Sequence, residues 1–275
     1  MSKNVIFTAF ANPKGDLSSL TNEQNGIQDA ILPAERHGKL AKHLIRTDTD
    51  LIAYFDFLRE YQDSISIFHY AGHADSAGIS LQNAHIFFEP LARELTQRNP
   101  NALQLVVLNG CCTRAHIKIL FQFGVKAVIA TSVKIHDETA TQFAIRFYEN
   151  LVAGDTLGMA YESAANFIKG TNTEQRYRHF GKTHRDIGFD TPTDETPDEF
   201  PWGLYTNGND AVLQHVFFAQ NAHADAPPIT SNNNKNTVIN STITAGGNVH
   251  IGDKNITQNA EKIINIEKID NANFS

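Results

Sequence analysis

SIFHYAGHAD (residues 66–75) carries an apolar run straight into a glycine, two histidines and an aspartate. The β-prone part of this stretch reads as a buried strand, and the step from Gly72 to His73 as the turn at its carboxyl end. Upstream, NVIFTAF and KHLIRT are further short β-prone runs, and LSSLTNEQNGIQDAIL and DLIAYFDFLREYQ between the runs have helical period. Strands alternating with crossover helices predict an α/β fold with a central, mostly parallel sheet flanked by helices. The histidines are then incidental to a strand end, ligands of a metal, or half of a catalytic pair.

Downstream, GISLQNAHIFF reads as a β-hairpin turning at Gln82 and Asn83. LQLVVLNG is a continuous apolar strand, HIKILFQFG a short helix ending at Gly124, and VKAVIAT another strand. HDETATQFAIRFYENLVAG places Ala140, Phe143, Phe147 and Leu151 near one helix face, with Asp137 and Glu138 at its positive N-terminal end. A further helix follows around LGMAYESAANFIKG. From Thr171 to Pro201 the chain is polar and without period, which is long for a plain connection and fits a functional or processed segment. PWGLYTNG and AVLQHVFFAQ return to core-like sequence, so the first domain is expected to span residues 1–220. Residues 221–275 read as a linker and an Asn- and Gly-rich tail, in which TVINSTITAGGNVHIGDKNITQ shows period-two runs broken by tight turns. Such a tail lacks the apolar surface for a core of its own, and it can stay mobile, pack on the main domain, or pair its strands with another copy or a partner.

The chain has 275 residues, 41% of them hydrophobic, which suffices for one sizeable domain with an appendage. Its formal net charge of -7 and the absence of a basic run argue against nucleic acid as a partner. No apolar stretch approaches a membrane span and the N-terminal sequence lacks a secretory layout, so a cytoplasmic protein with no membrane partner is expected. Cys111 and Cys112 are the two cysteines of the chain and are adjacent, so they staple nothing and leave a reduced thiol to explain.

His69 and His73 have the spacing of zinc ligands on one helix face, but His69 lies in a strand and Tyr70 stands where a zinc peptidase has glutamate. Neither a metal nor a cofactor is expected. His73 and Cys111 instead each follow the carboxyl end of a major strand, where open α/β sheets bind ligands. A thiol, with an ordinary pKa of about 8.5, needs a neighbouring imidazole to take its proton at neutral pH. Cys111 also precedes a helix, whose N-terminal end favours an anion. Backbone N–H groups at Gly72, Ala74 and Gly110 are candidates for holding an oxyanion, and their small side chains admit a substrate backbone. On residue types alone, a cysteine at a strand end that is inert core, and a histidine that merely caps a turn, remain equally open readings.

FHYAGHAD followed by VVLNGCCT resembles the two catalytic motifs of CHAT-domain peptidases, caspase-like cysteine proteases that include relatives of separase. FGVKAVIATSVKIHDETATQFAIRFYENLVAGDTLGMAYESA and FPWGLY resemble the stretches that follow, in the same order. The resemblance covers roughly residues 5–220. It implies a caspase-like three-layer fold, His73 as general base and Cys111 as nucleophile of a His-Cys dyad that cleaves a protein substrate. Cys112 is the rival nucleophile, and the family's placement of its cysteine after a Leu-Asn-Ala or Leu-Ser-Ala step favours Cys111. Ala74 stands where the family usually has glycine, and Lys134 where it often has tryptophan. In Arg-specific metacaspase relatives the position of Asn109 is acidic, so Asn109, Ser132 and Asp137 are the substrate-pocket candidates, with no carboxylate at 109 to select a basic residue. The tail resembles GNVHIGD-type segments that accompany bacterial effector domains. It implies recruitment by an activating protein, or self-association, in a defence or signalling system. A catalytically silent scaffold of the same fold is the alternative.

Overall fold

The computed structural model describes residues 4–40, 42–171 and 200–218, together with four short strands beyond them. The chain divides into two compact units, Met1–Gln220 and Asn221–Ser275. The first unit is built on β1 (Val5–Ala11), β2 (Lys42–Arg46) and β3 (Ile65–Gly72), joined by α1 (Leu20–Arg36) and α2 (Leu51–Glu60). A hairpin of β4 (Gly78–Leu81) and β5 (Ala84–Phe87) runs directly into α3 (Phe88–Arg98). Then come β6 (Leu105–Asn109), α4 (Ile117–Gln122), β7 (Ala127–Thr131), α5 (Asp137–Ala153), α6 (Leu157–Thr171) and β8 (Trp202–Thr206).

Six of these strands form one sheet in the order β2-β1-β3-β6-β7-β8. The pairs from β2 to β7 are parallel and β8 is antiparallel to β7. Side chains alternate between faces along each strand. Ile67, Ala71, Leu105, Val107 and Ile129 pack with Ile27 and Ile31 of α1, Phe143 and Phe147 of α5, and Leu157 of α6. Phe68, Tyr70, Val106, Leu108 and Val128 pack with Tyr54 and Leu58 of α2, Phe88 and Leu91 of α3, and Leu120 of α4. This is the three-layer α/β class expected from the alternation of elements.

Two features differ from the sequence reading. α3 was not anticipated, because FEPLARELTQR follows β5 without a turn and carries Pro90, which a helix tolerates in its first turn. The helix expected just after Cys111 begins instead as a 3-10 turn, Thr113–His116, and α4 has only six residues. A short, late helix supplies little dipole at Cys111, since the effect falls off within a turn.

The switch point of the sheet lies between β1 and β3. α1 leaves β1 toward β2 on one face, whereas the chain leaving β3 goes to β6 and places α3 on the other. Divergence of this kind opens a crevice at the carboxyl ends of the two strands. The expected polar segment from Thr171 to Pro201 falls, at 172–199, outside the described residues. In the second unit β9 (Ser241–Thr242) pairs with β12 (Asn265–Ile266), and β10 (Val249–Ile251) with β11 (Lys254–Ile256), both antiparallel.

Candidate active site

β3 and β6 pair in parallel up to Ala71 opposite Asn109. His73 and Cys111 each lie two residues further, so they leave neighbouring strand ends at the same level. The backbones there fit closely enough to demand glycine. A Cβ on Gly110 would sit 2.6 Å from Ala74 Cβ and 2.9 Å from Gly72 O. Gly72 has φ 156°, and a Cβ on it would meet Ala11 O at 2.5 Å. Tyr70 lies against the turn, its hydroxyl 2.7 Å from each of the carbonyls of His73 and Ser80, one of which takes its single proton. Ala74 faces Ile79 across an isolated bridge. The hydrogen bonds flanking that bridge are made by Ser80 N–H to His73 O and by Asp75 N–H to Gly78 O, not by Ala74.

His73 is almost wholly buried, and its Nε2 lies 2.7 Å from Oδ1 of Asp16, which is 43% exposed. Asp16 belongs to the loop between β1 and α1. Asn12 shapes that loop by accepting from Leu17 N–H and donating back to Leu17 O, at 3.3 Å each. Gln82 at the hairpin turn accepts from Asn12 N–H, also at 3.3 Å. No sequence motif singles out Asp16; its signal is purely its place after β1 at the switch point.

Cys111 is fully buried among residues of the α1/α5 layer. Its Sγ accepts from Ile135 N–H at 3.2 Å and lies 3.8 Å from Ile135 O. The segment between β7 and α5 therefore lies along the sulfur. It is fixed by Cys112 N–H to Val133 O at 3.3 Å and by Ser132 N–H to Pro201 O at 2.8 Å. Cys112 is only partly buried and takes a left-handed conformation, φ 54°.

Each of the three pocket candidates is hydrogen-bonded within the fold. Asn109 is buried; its Nδ2 donates to Glu23 Oε1 at 2.8 Å and to Ala140 O at 3.0 Å, and its Oδ1 accepts from Trp202 Nε1 at 3.0 Å. Ser132 lies on the β7–α5 segment, its hydroxyl 3.3 Å from Pro201 O. Asp137 is buried and its Oδ2 accepts Ser19 N–H at 2.7 Å, so α5 supplies the acceptor for the otherwise unpaired amide end of α1. Glu23 of α1 was not anticipated. It is wholly buried, lies 3.2 Å from His69 Nε2, and takes the Asn109 bond from beneath the site. A carboxylate is tolerated there because donors surround it. His69 is committed to this pair rather than to the crevice, which separates it from His73.

Among the described residues, no group of three His, Cys, Asp or Glu side chains converges as a metal site would. No helix among them is long and apolar enough to cross a membrane.

The sequence profile described as CHAT domain matches residues 8–192. No curated protein matches the sequence. Among solved structures, a secreted C11 cysteine protease from Bacteroides thetaiotaomicron is similar at 10% identity and a TM-score of 0.48, covering 64% of this chain and 63% of its own. The Arg-specific cysteine proteinase gingipain R is similar at 14% identity and 0.45, covering 62% and 43%. Raptor from Chaetomium thermophilum follows at 11% and 0.37, covering 55% and 17%. The chain thus spans less than two thirds of each of these proteins.

Proposed function

The chain belongs to the CHAT-domain family, and from that membership and the geometry of the crevice we propose that it is a caspase-like cysteine endopeptidase with a His73-Cys111 dyad. The observation that carries this reading is the close fit of Gly110 against Gly72 and Ala74, which brings the two reactive residues off adjacent strand ends. His73 takes the proton of Cys111, and the thiolate forms a bond to the scissile carbonyl carbon while the carbonyl electron pair moves to oxygen. N–H groups at the ends of β3 and β6 stabilise that oxyanion, Ala74 being available because the hairpin does not engage it. Collapse breaks the C–N bond, and the leaving amine takes the proton from His73. Water then attacks the thioester, gives a proton to His73, and the C–S bond breaks with the sulfur reprotonated. Cleavage of a protein substrate should vanish in Cys111→Ala and persist in Cys112→Ala; loss in both, or persistence in both, would remove Cys111 from the role.

The buried sulfur bears on regulation. With Ile135 along Sγ, a peptide reaches the thiol only after residues 132–136 shift. We attribute that shift to an activating protein or to self-association through the Asn- and Gly-rich tail, in a defence or signalling setting. Ending the chain at residue 228 should leave the fold intact and abolish activation by the partner, and unchanged activation would remove the tail from the scheme. The same burial is the one observation favouring a catalytically silent scaffold, which predicts no cleavage under any activating condition.

A further inference from the structure

We infer that Asp16 is a positioning residue for the dyad, holding His73 in the tautomer whose proton sits on Nε2 and whose free Nδ1 lone pair receives the thiol proton. The inference rests on the peptidase reading for its catalytic consequence, but the tautomer itself does not. Three observations carry it. His73 Nε2 lies 2.7 Å from Asp16 Oδ1, and a carboxylate can only accept, so the ring donates from Nε2. Nδ1 of the same ring is buried and has no hydrogen-bond partner among the described residues. It is thus left for a reactant, which a buried imidazole nitrogen rarely is without reason. The loop carrying Asp16 is tied at Asn12 to Leu17 and to Gln82, so the carboxylate is presented by a braced turn rather than by a free side chain.

Exposure sets the size of the effect. In a triad with a buried aspartate, losing the correct tautomer costs several orders of magnitude. Asp16 is 43% exposed, so solvent screens its charge and its contribution is chiefly orientation. Asp16→Ala is therefore expected to lower kcat by about 10- to 100-fold with KM within about twofold, because the side chain acts on the base and not on substrate binding. Asp16→Asn should be at least as damaging, since its amide can donate to Nε2 and drive the proton onto Nδ1. Asp16→Glu keeps an acceptor and should recover part of kcat.

The test measures kcat and KM for these three variants of the full chain, and records the ring nitrogen shifts of His73 by nitrogen-15 NMR in wild type and Asp16→Ala. Loss of kcat with constant KM, partial rescue by glutamate and a displaced tautomer equilibrium support the proposal. An Asp16→Ala enzyme with wild-type kcat, or an unchanged Nε2–H tautomer, overturns it. If wild type cleaves nothing under activating conditions while Asp16→Ala still displaces the tautomer, the peptidase reading falls and the positioning role stands. Folding is not at stake, because the bonds shaping the loop come from Asn12 and not from Asp16.

Discussion

Gly110 decides more at the site than any charged residue, because it sets how near the segments that carry His73 and Cys111 come. In Gly110→Ala the added carbon would meet Ala74 Cβ at 2.6 Å and Gly72 O at 2.9 Å, and backbone on one side cannot swing away. Overpacking of this sort costs about 1–3 kcal/mol, so the urea midpoint should fall and cleavage should fall with it. A midpoint equal to wild type would show that the strand ends are looser than the structure has them. Asn109 illustrates the opposite case, a pocket candidate in the sequence that the fold holds between Glu23 and Trp202, the latter stacked on Phe143 at 4.6 Å between ring centroids.

Among the elements, the connection from β7 to α5 meets the Cys111 sulfur most directly. Val133 and Ile135 are buried, and their main chains bond to Cys112 and Cys111 respectively. Loosening this connection while sparing its ends should open the sulfur. Ile135→Gly removes an apolar anchor and raises backbone entropy, so iodoacetamide should alkylate Cys111 about tenfold faster in an Ile135→Gly, Cys112→Ser protein than in Cys112→Ser alone. Equal rates would mean that the sulfur is shielded by something other than this segment. The helix of α5 itself was readable from its period and from its end at Gly154, which takes the left-handed conformation with φ 101°. The segment before it was not, because VKIH has neither the period of a helix nor the alternation of a strand.

The whole molecule carries its own pH dependence through buried histidines. Burial lowers His116 to about 4, even though its Nε2 meets Asp75 O at 3.0 Å. Burial, with a smaller contribution from the neighbouring His69, lowers His43 to about 3. Both rings are thus neutral in the fold, whereas the unfolded chain takes up protons below about pH 6.5. Stability from this source is complete above that pH and is lost as pH falls from 6.5 toward 4 for His116 and toward 3 for His43. By pH 5 each ring should cost about 2 kcal/mol. Urea midpoints at pH 7.5 and pH 5 measure the loss, and His116→Gln, which keeps a donor but does not titrate, should reduce it by roughly half. What the amino-acid order determined by itself was local: most of the strands and helices, though not α3, and that a Gly-His turn and a Gly-Cys step end two of the strands. Period and turn chemistry act over a few residues, so they are written in contiguous sequence. Only the tertiary structure decided that Asp16, 57 residues from its partner, reaches His73, that Glu23 bonds Asn109, that β8 returns antiparallel, and that the Ile135 main chain meets the thiol. Those contacts depend on strand order and on which layer each helix joins, and no local pattern of side chains encodes either.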